Sequence, residues 1–379
     1  MLFGLVTSCE KDNGGKVDDE TNNDEEYKAV LGTYISSTII PTYKSLAEAA
    51  LEMRAANEAL KNNPTDASMK AASDAWMKAR IAWEISEAFL FGPVGDQALD
   101  IDGHIDSWPL ELEEIQAVLK NGALGLTGEK AWAELDPEVI GFHVTEYLLY
   151  REGKTRPVKD LTKAEFDYLT AATDALVWDC VLAYVAWVGE GSVSEEMKAV
   201  FNENPDVVKH LKDNPAYNDF AKKLAPKSEN GNYSSWGDAL SEIAVGAAEI
   251  AGEVGATKIL EPYNKKKVED VESWYSWHSL DDYTNNIRSI KNAYLGGMGD
   301  DSRKFTCLSA CLAKVNPRLD KDITAKIEEC LTKIPAMGKG GFAFYEVVRD
   351  QINRTEVEAA STACVELQRL FDKVPEILD

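Results

Sequence analysis

Basic residues are scarce in this chain of 379 residues. Forty lysines and arginines face 65 aspartates and glutamates, so the formal net charge is −25 at pH 7 and the isoelectric point is near 4.6. A protein that binds nucleic acid or anionic lipid through charge needs clustered lysine and arginine, so this balance argues against both partners. Hydrophobic residues make up 45% of the chain, which excludes a chain that is disordered throughout.

Long apolar runs and familiar catalytic motifs are also missing. No stretch approaches the ~20 apolar residues that a helix needs to span a bilayer. The sequence has no Walker loop, no dinucleotide-binding glycine fingerprint, no GxSxG elbow and no HExxH pair. No CxxC pair occurs among the six cysteines, which argues against a structural zinc site. Composition therefore excludes several classes of protein without indicating a reaction.

The N-terminus resembles the end of a bacterial lipoprotein signal. Residues 5–8 are apolar or small, and Cys9 follows where such signals place the cysteine that receives lipid. The next residues are mostly acidic or polar, so we predict a signal remnant and acidic tether over residues 1–26. The usual basic segment is missing, and the alternative is an accidental cysteine in a frayed terminus. The prediction is a lipid anchor rather than a transmembrane helix, in the cell envelope on the outer-membrane, periplasmic or surface face.

Helical periodicity runs through most of the chain, and alternating strand patterns are nearly absent. Residues 27–62 are amphipathic, and residues 164–188 are long and apolar. Prolines and glycines between residues 202 and 232 mark a break between two helical regions. We therefore predict an all-α fold of two helical-bundle domains, residues 27–228 and 229–379.

A short apolar segment, residues 139–150, contains a histidine and a glutamate at helical spacing. On a helix, His143 and Glu146 share one face, with their Cβ atoms roughly 5–6 Å apart. The surrounding positions are apolar, so the helix is predicted to be buried, and a buried carboxylate needs a partner. Two interpretations stay open here. The pair either satisfies itself in the core or forms half of a metal site, because imidazole and carboxylate suit iron and zinc.

Acidic residues on another predicted helix, residues 65–91, could add ligands. Glu84 and Glu87 share a stripe with Arg80 that tryptophans border. They are either an Arg–Glu ladder worth about 0.2–0.5 kcal/mol per pair or one or two carboxylate ligands. The segment that follows, residues 94–109, is predicted to be a loop that could line a site.

A polar stripe marks a helix in the C-terminal region. Asp281, Asn285, Arg288 and Asn292 recur at helical spacing, opposite an apolar stripe. Asparagine is a poor residue for a helix interior, so its repetition beside Ser289 suggests hydrogen bonding at a domain interface or a ligand site. The alternative is an ordinary wet face of the helix.

These segments, taken in order, resemble the imelysin-like family. The GxHxxE signature of that family matches residues 141–146, and its other conserved blocks are similar to residues 83–93, 105–109, 279–282 and 285–290. The resemblance extends from about residue 30 to the C-terminus. It implies an all-α fold of two bundle-like domains, with the conserved groups in a cleft between them. It also implies an envelope location and a link to iron.

The resemblance also implies two sets of site residues. His143, Glu146, Glu84 and Glu87 are expected to be metal ligands, with Asp281 a candidate to complete or orient the shell. Arg288 and Ser289 are expected to hold an anionic group, and the polar stripe adds Asn285 to Asp281, Arg288 and Ser289 as ligand-binding residues. The family carries a metallopeptidase label, but its motif lacks the two-histidine zinc pattern, and no catalytic residue is assigned.

The function that these features favour is an envelope-anchored binding protein for iron acquisition. Its expected cofactor is a metal ion, with iron favoured over zinc, and its expected partners are that ion or a small anionic ligand and other envelope iron-uptake proteins. Two alternatives stay open. One is a metallopeptidase that uses the His143 and Glu146 site, and the other is a ligand-binding scaffold without a metal.

Overall fold

A computed structural model describes residues 17–299 and 304–378, with side chains from residue 23 onward. The all-α prediction is confirmed, and the only sheet in these residues is a hairpin of β1, Tyr150–Arg151, and β2, Lys154–Thr155. Cys9 and most of the predicted tether lie outside the described residues. The helices are α1 Val17–Tyr34, α2 Ile40–Asn62, α3 Asp66–Glu84, α4 Ile101–Asp106, α5 Leu112–Lys120, α6 Gly128–Glu134, α7 Gly141–Leu149, α8 Lys163–Val188, α9 Glu195–Phe201, α10 Pro205–Asp213, α11 Trp236–Gly252, α12 Glu261–Lys265, α13 Ser279–Leu295, α14 Leu308–Val315, α15 Pro317–Ala336, α16 Phe344–Asp350, α17 Arg354–Phe371 and α18 Pro375–Leu378.

Local sequence determines where the long helices begin and end. The Thr65 side chain accepts a hydrogen bond from the amide of Ser68 at the start of α3, and the Ser68 hydroxyl returns the contact. Thr162 and Glu165 make the same reciprocal pair at the start of α8. These contacts satisfy amide groups that have no partner within the helix. Gly189 ends α8 with φ +78°, a conformation that glycine adopts without strain.

The N-terminal group of helices is built around α8. Helices α2, α6 and α7 pack against it, and most of its side chains are buried. By length and composition α8 could cross a membrane, which differs from the expectation that no stretch comes close. However, 89% of its apolar window is buried inside the protein, as in a core helix.

The C-terminal group consists mainly of α11, α13, α15 and α17, which pack against one another. A 3₁₀ turn, Glu87–Phe89, packs on α11 and α13, and α3 also contacts α13. One continuous hydrophobic core extends through both groups. The boundary between residues 228 and 229 stays a prediction, and the junction of the two groups is where the candidate site lies.

Two local departures from regular α-helix lie near the candidate site. The segment 94–109, predicted as a loop, contains α4, which at six residues is too short to show a helical period. Between α11 and α12, Glu253–Leu260 forms a π-helix. Such segments are rare and are often found at functional sites.

Candidate metal centre

Six carboxylates converge where the two helical groups meet, and we call them the carboxylate cluster. Each of them is less than one tenth exposed: Glu84, Glu87, Asp106, Glu146, Glu272 and Asp282. They come from α3, the turn after it, α4, α7, the segment before α13, and α13 itself. Burying so many acids costs free energy unless cations or protons compensate their charge.

Arg80 of α3 lies at the centre of the carboxylate cluster and is fully buried. Its guanidinium forms ion pairs with Glu84 and Asp106, and one terminal nitrogen lies 2.6 Å from Glu272 Oε1. Its Nε atom lies 3.5 Å from Asp282 Oδ2. The planar fork of arginine suits several carboxylates at once, so Arg80 ties α3 to the segments that supply the other acids.

His143 of α7 lies between carboxylates on both sides of its ring. Its Nδ1 atom is 3.2 Å from Glu146 Oε2, and Glu146 Oε1 accepts a hydrogen bond of 2.7 Å from the amide of Ser276. Its Nε2 atom is 3.0 Å from Asp106 Oδ1 and 3.7 Å from Glu272 Oε1. Nevertheless, this fully buried nitrogen makes no well-directed hydrogen bond. Once it has released its proton, this nitrogen offers a lone pair to a different partner.

The glycine of the GxHxxE pattern allows α7 to approach α4 closely. Gly141 has φ +75°, and a Cβ atom there would lie 2.5 Å from the carbonyl oxygen of Ile105 and 2.7 Å from that of His104. Any side chain would push α4, and with it Asp106, away from His143. Trp76 fixes the same turn from α3, because its indole donates to the carbonyl of Phe142 at 3.1 Å.

Burial and neighbouring charges divide the acids of the cluster into two kinds. Burial raises the pKa of Glu84 and of Glu87 well above the ordinary range. Burial also acts to raise the pKa of Asp106, but Arg80 and His143 outweigh it and lower that pKa. The pKa of Glu272 is lowered further, because Lys258, His143 and Arg80 together outweigh burial.

The charges of the cluster do not balance among the described residues. Arg80 and Lys258 contact it as permanent cations. Burial and Arg80 act to lower the pKa of His143, but its contacts with Asp106, Glu146 and Glu272 outweigh them and raise that pKa well above the usual value. Six carboxyl groups against these two permanent cations leave a surplus of negative charge that protons or a bound metal ion can neutralise.

Two groups of side chains in the cluster could hold a metal ion. The first is Asp106, His143 and Glu272, and the second is Glu84, Glu87 and Asp106. In each group the ligand atoms lie within 4.8 Å of one another. Asp106 belongs to both, so the two groups are adjacent. Only the first contains an imidazole nitrogen without a directed hydrogen bond.

A surface cavity of about 230 Å³ leads to these residues, and we call it the acidic mouth. Three of its lining residues belong to the cluster: Glu87, Asp106 and Glu272. The others are three further acids, one lysine and three uncharged residues: Asp102, Glu253 and Asp270; Lys258; and Leu90, Trp108 and Thr257. Burial raises the pKa of Asp102 to about 7. A concave surface with mostly acidic walls attracts cations toward its floor.

Comparison with known proteins agrees with the pattern of motifs. The family model described as imelysin matches residues 39–371, which is most of the chain. The chain belongs to the imelysin family. Iron-regulated protein A of Synechococcus elongatus is 27% identical over 268 residues, or 70% of this chain. The match spans 64% of that relative, less than two thirds of its length.

Solved structures support the same assignment. A crystal structure of a proposed iron-regulated protein A precursor from Parabacteroides distasonis is 27% identical, with a TM-score of 0.75. The alignment covers 94% of this chain and 96% of that one. An imelysin-like protein from Psychrobacter arcticum is 14% identical, with a TM-score of 0.62 over 92% of this chain and 94% of its own, which shows a shared fold.

The structure brings together all four residues that were expected to be metal ligands. His143, Glu146, Glu84 and Glu87 all belong to the cluster or contact it. Glu146 lies at Nδ1 of His143, the histidine of the imelysin signature. The other ring nitrogen, Nε2, faces Asp106 and Glu272.

Of the residues on α13 that were expected to bind a ligand, the structure keeps three near the surface and buries Ser289. Asp281 and Arg288 line one surface cavity, and Asn285 and Arg288 line another. Asp281 is 68% exposed and pairs with His278 at 3.0 Å. Asn285 accepts a hydrogen bond of 2.7 Å from Arg288, away from the cluster. Ser289 is buried and accepts a hydrogen bond of 2.9 Å from the amide of Ala88, so it attaches the turn after α3 to α13.

Sequence reasoning missed Asp106, Glu272 and Asp282 as site residues. Asp106 lies within the block 105–109 that resembled the imelysin family, so its role could have been inferred there. Asp282 lies one position from the expected Asp281, and it faces the cluster because α13 is buried on that side. Glu272 lies in an irregular segment, and nothing in its spacing indicates a site.

Proposed function

We propose that this imelysin-family protein binds a metal ion at Asp106, His143 and Glu272, with iron favoured over zinc, and that it serves iron acquisition. The observation that carries the proposal is the fully buried Nε2 atom of His143, which faces two carboxylates without a directed hydrogen bond. The names of two relatives, both iron-regulated protein A, support iron as the metal.

The donor set fits such an ion. One imidazole nitrogen and two carboxylate oxygens are ligands that iron and zinc both accept. Glu146 is suited to orient the ring rather than to bind the ion, since a carboxylate at Nδ1 fixes the tautomer and raises the basicity of Nε2. Glu84 and Glu87 lie next to Asp106 and could complete the shell. A bound cation would also neutralise part of the negative charge in the cluster.

Substitution of the histidine tests this proposal. His143→Ala is expected to abolish specific binding of Zn²⁺ or Fe²⁺ in calorimetric titration, because it removes the only nitrogen ligand of the group. Glu146→Gln is expected to weaken binding by about 10–100-fold, as is typical when the partner of a ligating histidine is lost. His278→Ala is the matched control, because His278 is partly exposed and pairs with Asp281 outside the cluster.

A purely structural role for His143 predicts a different result. If His143→Ala leaves metal affinity unchanged and only lowers the melting temperature, His143 and its carboxylates are a core ion-pair network. The metallopeptidase alternative requires peptide hydrolysis that chelation abolishes and that is lost in His143→Ala. The same samples distinguish these outcomes.

An anionic ligand on the surface forms a second part of the proposal. Arg288 is exposed and pairs with no carboxylate of the described residues, although the protein is strongly acidic. It lies between two surface cavities of about 530 and 560 Å³, within the size range of small-ligand sites. Arg288→Met should weaken binding of a small polycarboxylate such as citrate, whereas Arg318→Met should not. Equal binding by both variants would contradict this part.

Attachment to the envelope through Cys9 completes the proposal. Its support is the sequence around Cys9 and the acidic stretch that follows. Cys9→Ala should move the protein from the membrane fraction to the soluble fraction of cells that express the full chain. If the unaltered protein is already soluble with residues 1–9 intact, the anchor does not exist. Other iron-uptake proteins of the envelope are the partners expected at this location.

A further inference from the structure

One lysine occupies the acidic mouth in front of the proposed metal site. The Nζ atom of Lys258 lies 3.2 Å from Glu272 Oε2 and 3.5 Å from Glu253 Oε1, and the side chain is only 11% exposed. It is the one cation among the described residues that line the mouth. A buried ammonium has lost much of its hydration, and the ion pairs with these two glutamates offset that desolvation cost.

The π-helix between α11 and α12 aims this lysine into the mouth. In a π-helix the backbone hydrogen bonds join residues five apart, so Glu253 and Lys258 lie about one turn from each other. Both line the mouth, together with Thr257. The segment has little freedom to move away, because a Cβ atom on Gly255 would lie 2.9 Å from both Cys364 Cβ and the Ser361 carbonyl oxygen of α17.

Lys258 and the proposed metal site share one carboxylate. Glu272 Oε1 lies on the inner side, 3.7 Å from His143 Nε2 and 2.6 Å from Arg80. Glu272 Oε2 lies on the outer side, against Lys258. A cation that enters through the mouth therefore meets the ammonium of Lys258 before it reaches the histidine, and the two compete for Glu272.

We propose that Lys258 is the tethered competitor that sets which cations the site accepts. This inference rests on the proposed function, and it makes Lys258 a specificity-determining residue rather than a ligand. A tethered group has a high effective concentration, so a free monovalent ion or a firmly hydrated Mg²⁺ does not displace it. A multivalent ion that also bonds to the imidazole of His143 does displace the ammonium from Glu272. The displaced ammonium keeps a partner at the rim, since the Glu253 side chain is 50% exposed.

Zn²⁺ titration of charge variants tests the inference. Lys258→Gln removes the competing charge but keeps a hydrogen-bond donor for Glu272, so we expect Zn²⁺ to bind about tenfold or more tightly than to the unaltered protein. Millimolar Mg²⁺ should weaken Zn²⁺ binding in Lys258→Gln and not in the unaltered protein. Lys265→Gln is the matched control, because Lys265 is half exposed and pairs with Glu261.

A second variant keeps the inference falsifiable if Lys258→Gln does not fold. Lys258→Arg retains the charge and can hold Glu272 through two hydrogen bonds, so it should bind Zn²⁺ severalfold more weakly than the unaltered protein. Affinity that is equal or higher in Lys258→Arg would overturn the inference, as would unchanged or weaker affinity in folded Lys258→Gln. If neither the unaltered protein nor folded Lys258→Gln binds Zn²⁺ or Fe²⁺, the proposed metal function itself fails.

Discussion

Replacement of the central arginine probes whether the carboxylate cluster is ionised. Arg80 is fully buried and contacts Glu84, Asp106, Glu272 and Asp282. Arg80→Met preserves most of the side-chain volume and removes the charge. It leaves these carboxylates without their shared partner, while the rest of α3 is unchanged. Removal of one partner from a buried ion pair typically destabilises a protein by about 3–5 kcal/mol.

The size of the protein converts this free energy into a melting shift. At about 2.1 cal/mol/K per residue, the unfolding entropy of a 379-residue chain is on the order of 0.8 kcal/mol/K. A loss of 3–5 kcal/mol therefore lowers the melting temperature by about 4–6 °C, if the chain unfolds in one transition.

Thermal unfolding at neutral pH, followed by circular dichroism without added metal, measures this shift. Arg318→Met is the matched control, because Arg318 is 93% exposed and lies 3.8 Å from Asp322 on the surface. Surface pairs of this kind contribute little, so the control should melt with the unaltered protein. A melting temperature for Arg80→Met within one degree of the control would refute the reasoning, because it would mean that the carboxylates around Arg80 carry no charge to compensate.

Two further substitutions test the local reasoning. Gly141→Ala forces a side chain into a positive-φ position against the carbonyls of His104 and Ile105. It should destabilise the protein by more than about 2 kcal/mol in denaturant unfolding and should weaken Zn²⁺ binding, and full stability would contradict the packing argument. At Glu165, burial acts to raise the pKa, but hydrogen bonds from the Thr162 amide and Arg156 outweigh it and lower the pKa. The stabilisation is therefore present at neutral pH and is lost as the pH falls through the folded pKa. Glu165→Gln should accordingly be less stable at pH 7 and should approach the unaltered protein as the pH falls below the ordinary glutamate pKa of about 4.3, and a difference that stays constant as the pH falls would contradict the assignment.

Local features of the fold could be predicted from sequence because they rest on helical periodicity. The apolar segment around His143 predicted a buried helix, and α7 is buried along almost its whole length. The pairing of His143 with Glu146 followed from their spacing alone. Both inferences depend on contacts within one helix, which local sequence determines.

Features that depend on contacts between distant segments of the chain could not be predicted from the sequence. Glu272 reaches His143 from an irregular segment more than a hundred residues away, and no local pattern encodes that distance. On α13 the polar stripe was identified, but Asn285 and Asn292 within it are buried. Asp282 and Asn286 beside it are buried as well, because α3 covers that side. Which face of a helix binds is decided by its neighbours, so an offset of one residue exchanged Asp281 for Asp282.

The apolar character of α8 has a consequence for how the chain is made. Before it folds, α8 is a segment that is long and apolar enough, by length and composition, to enter a lipid bilayer. Its main packing partners, α2, α6 and α7, all precede it in the chain. During N-to-C synthesis they emerge first, so a surface that covers α8 is available as soon as α8 appears. Deletion of α2 would remove part of that cover and expose apolar side chains of α8 to solvent.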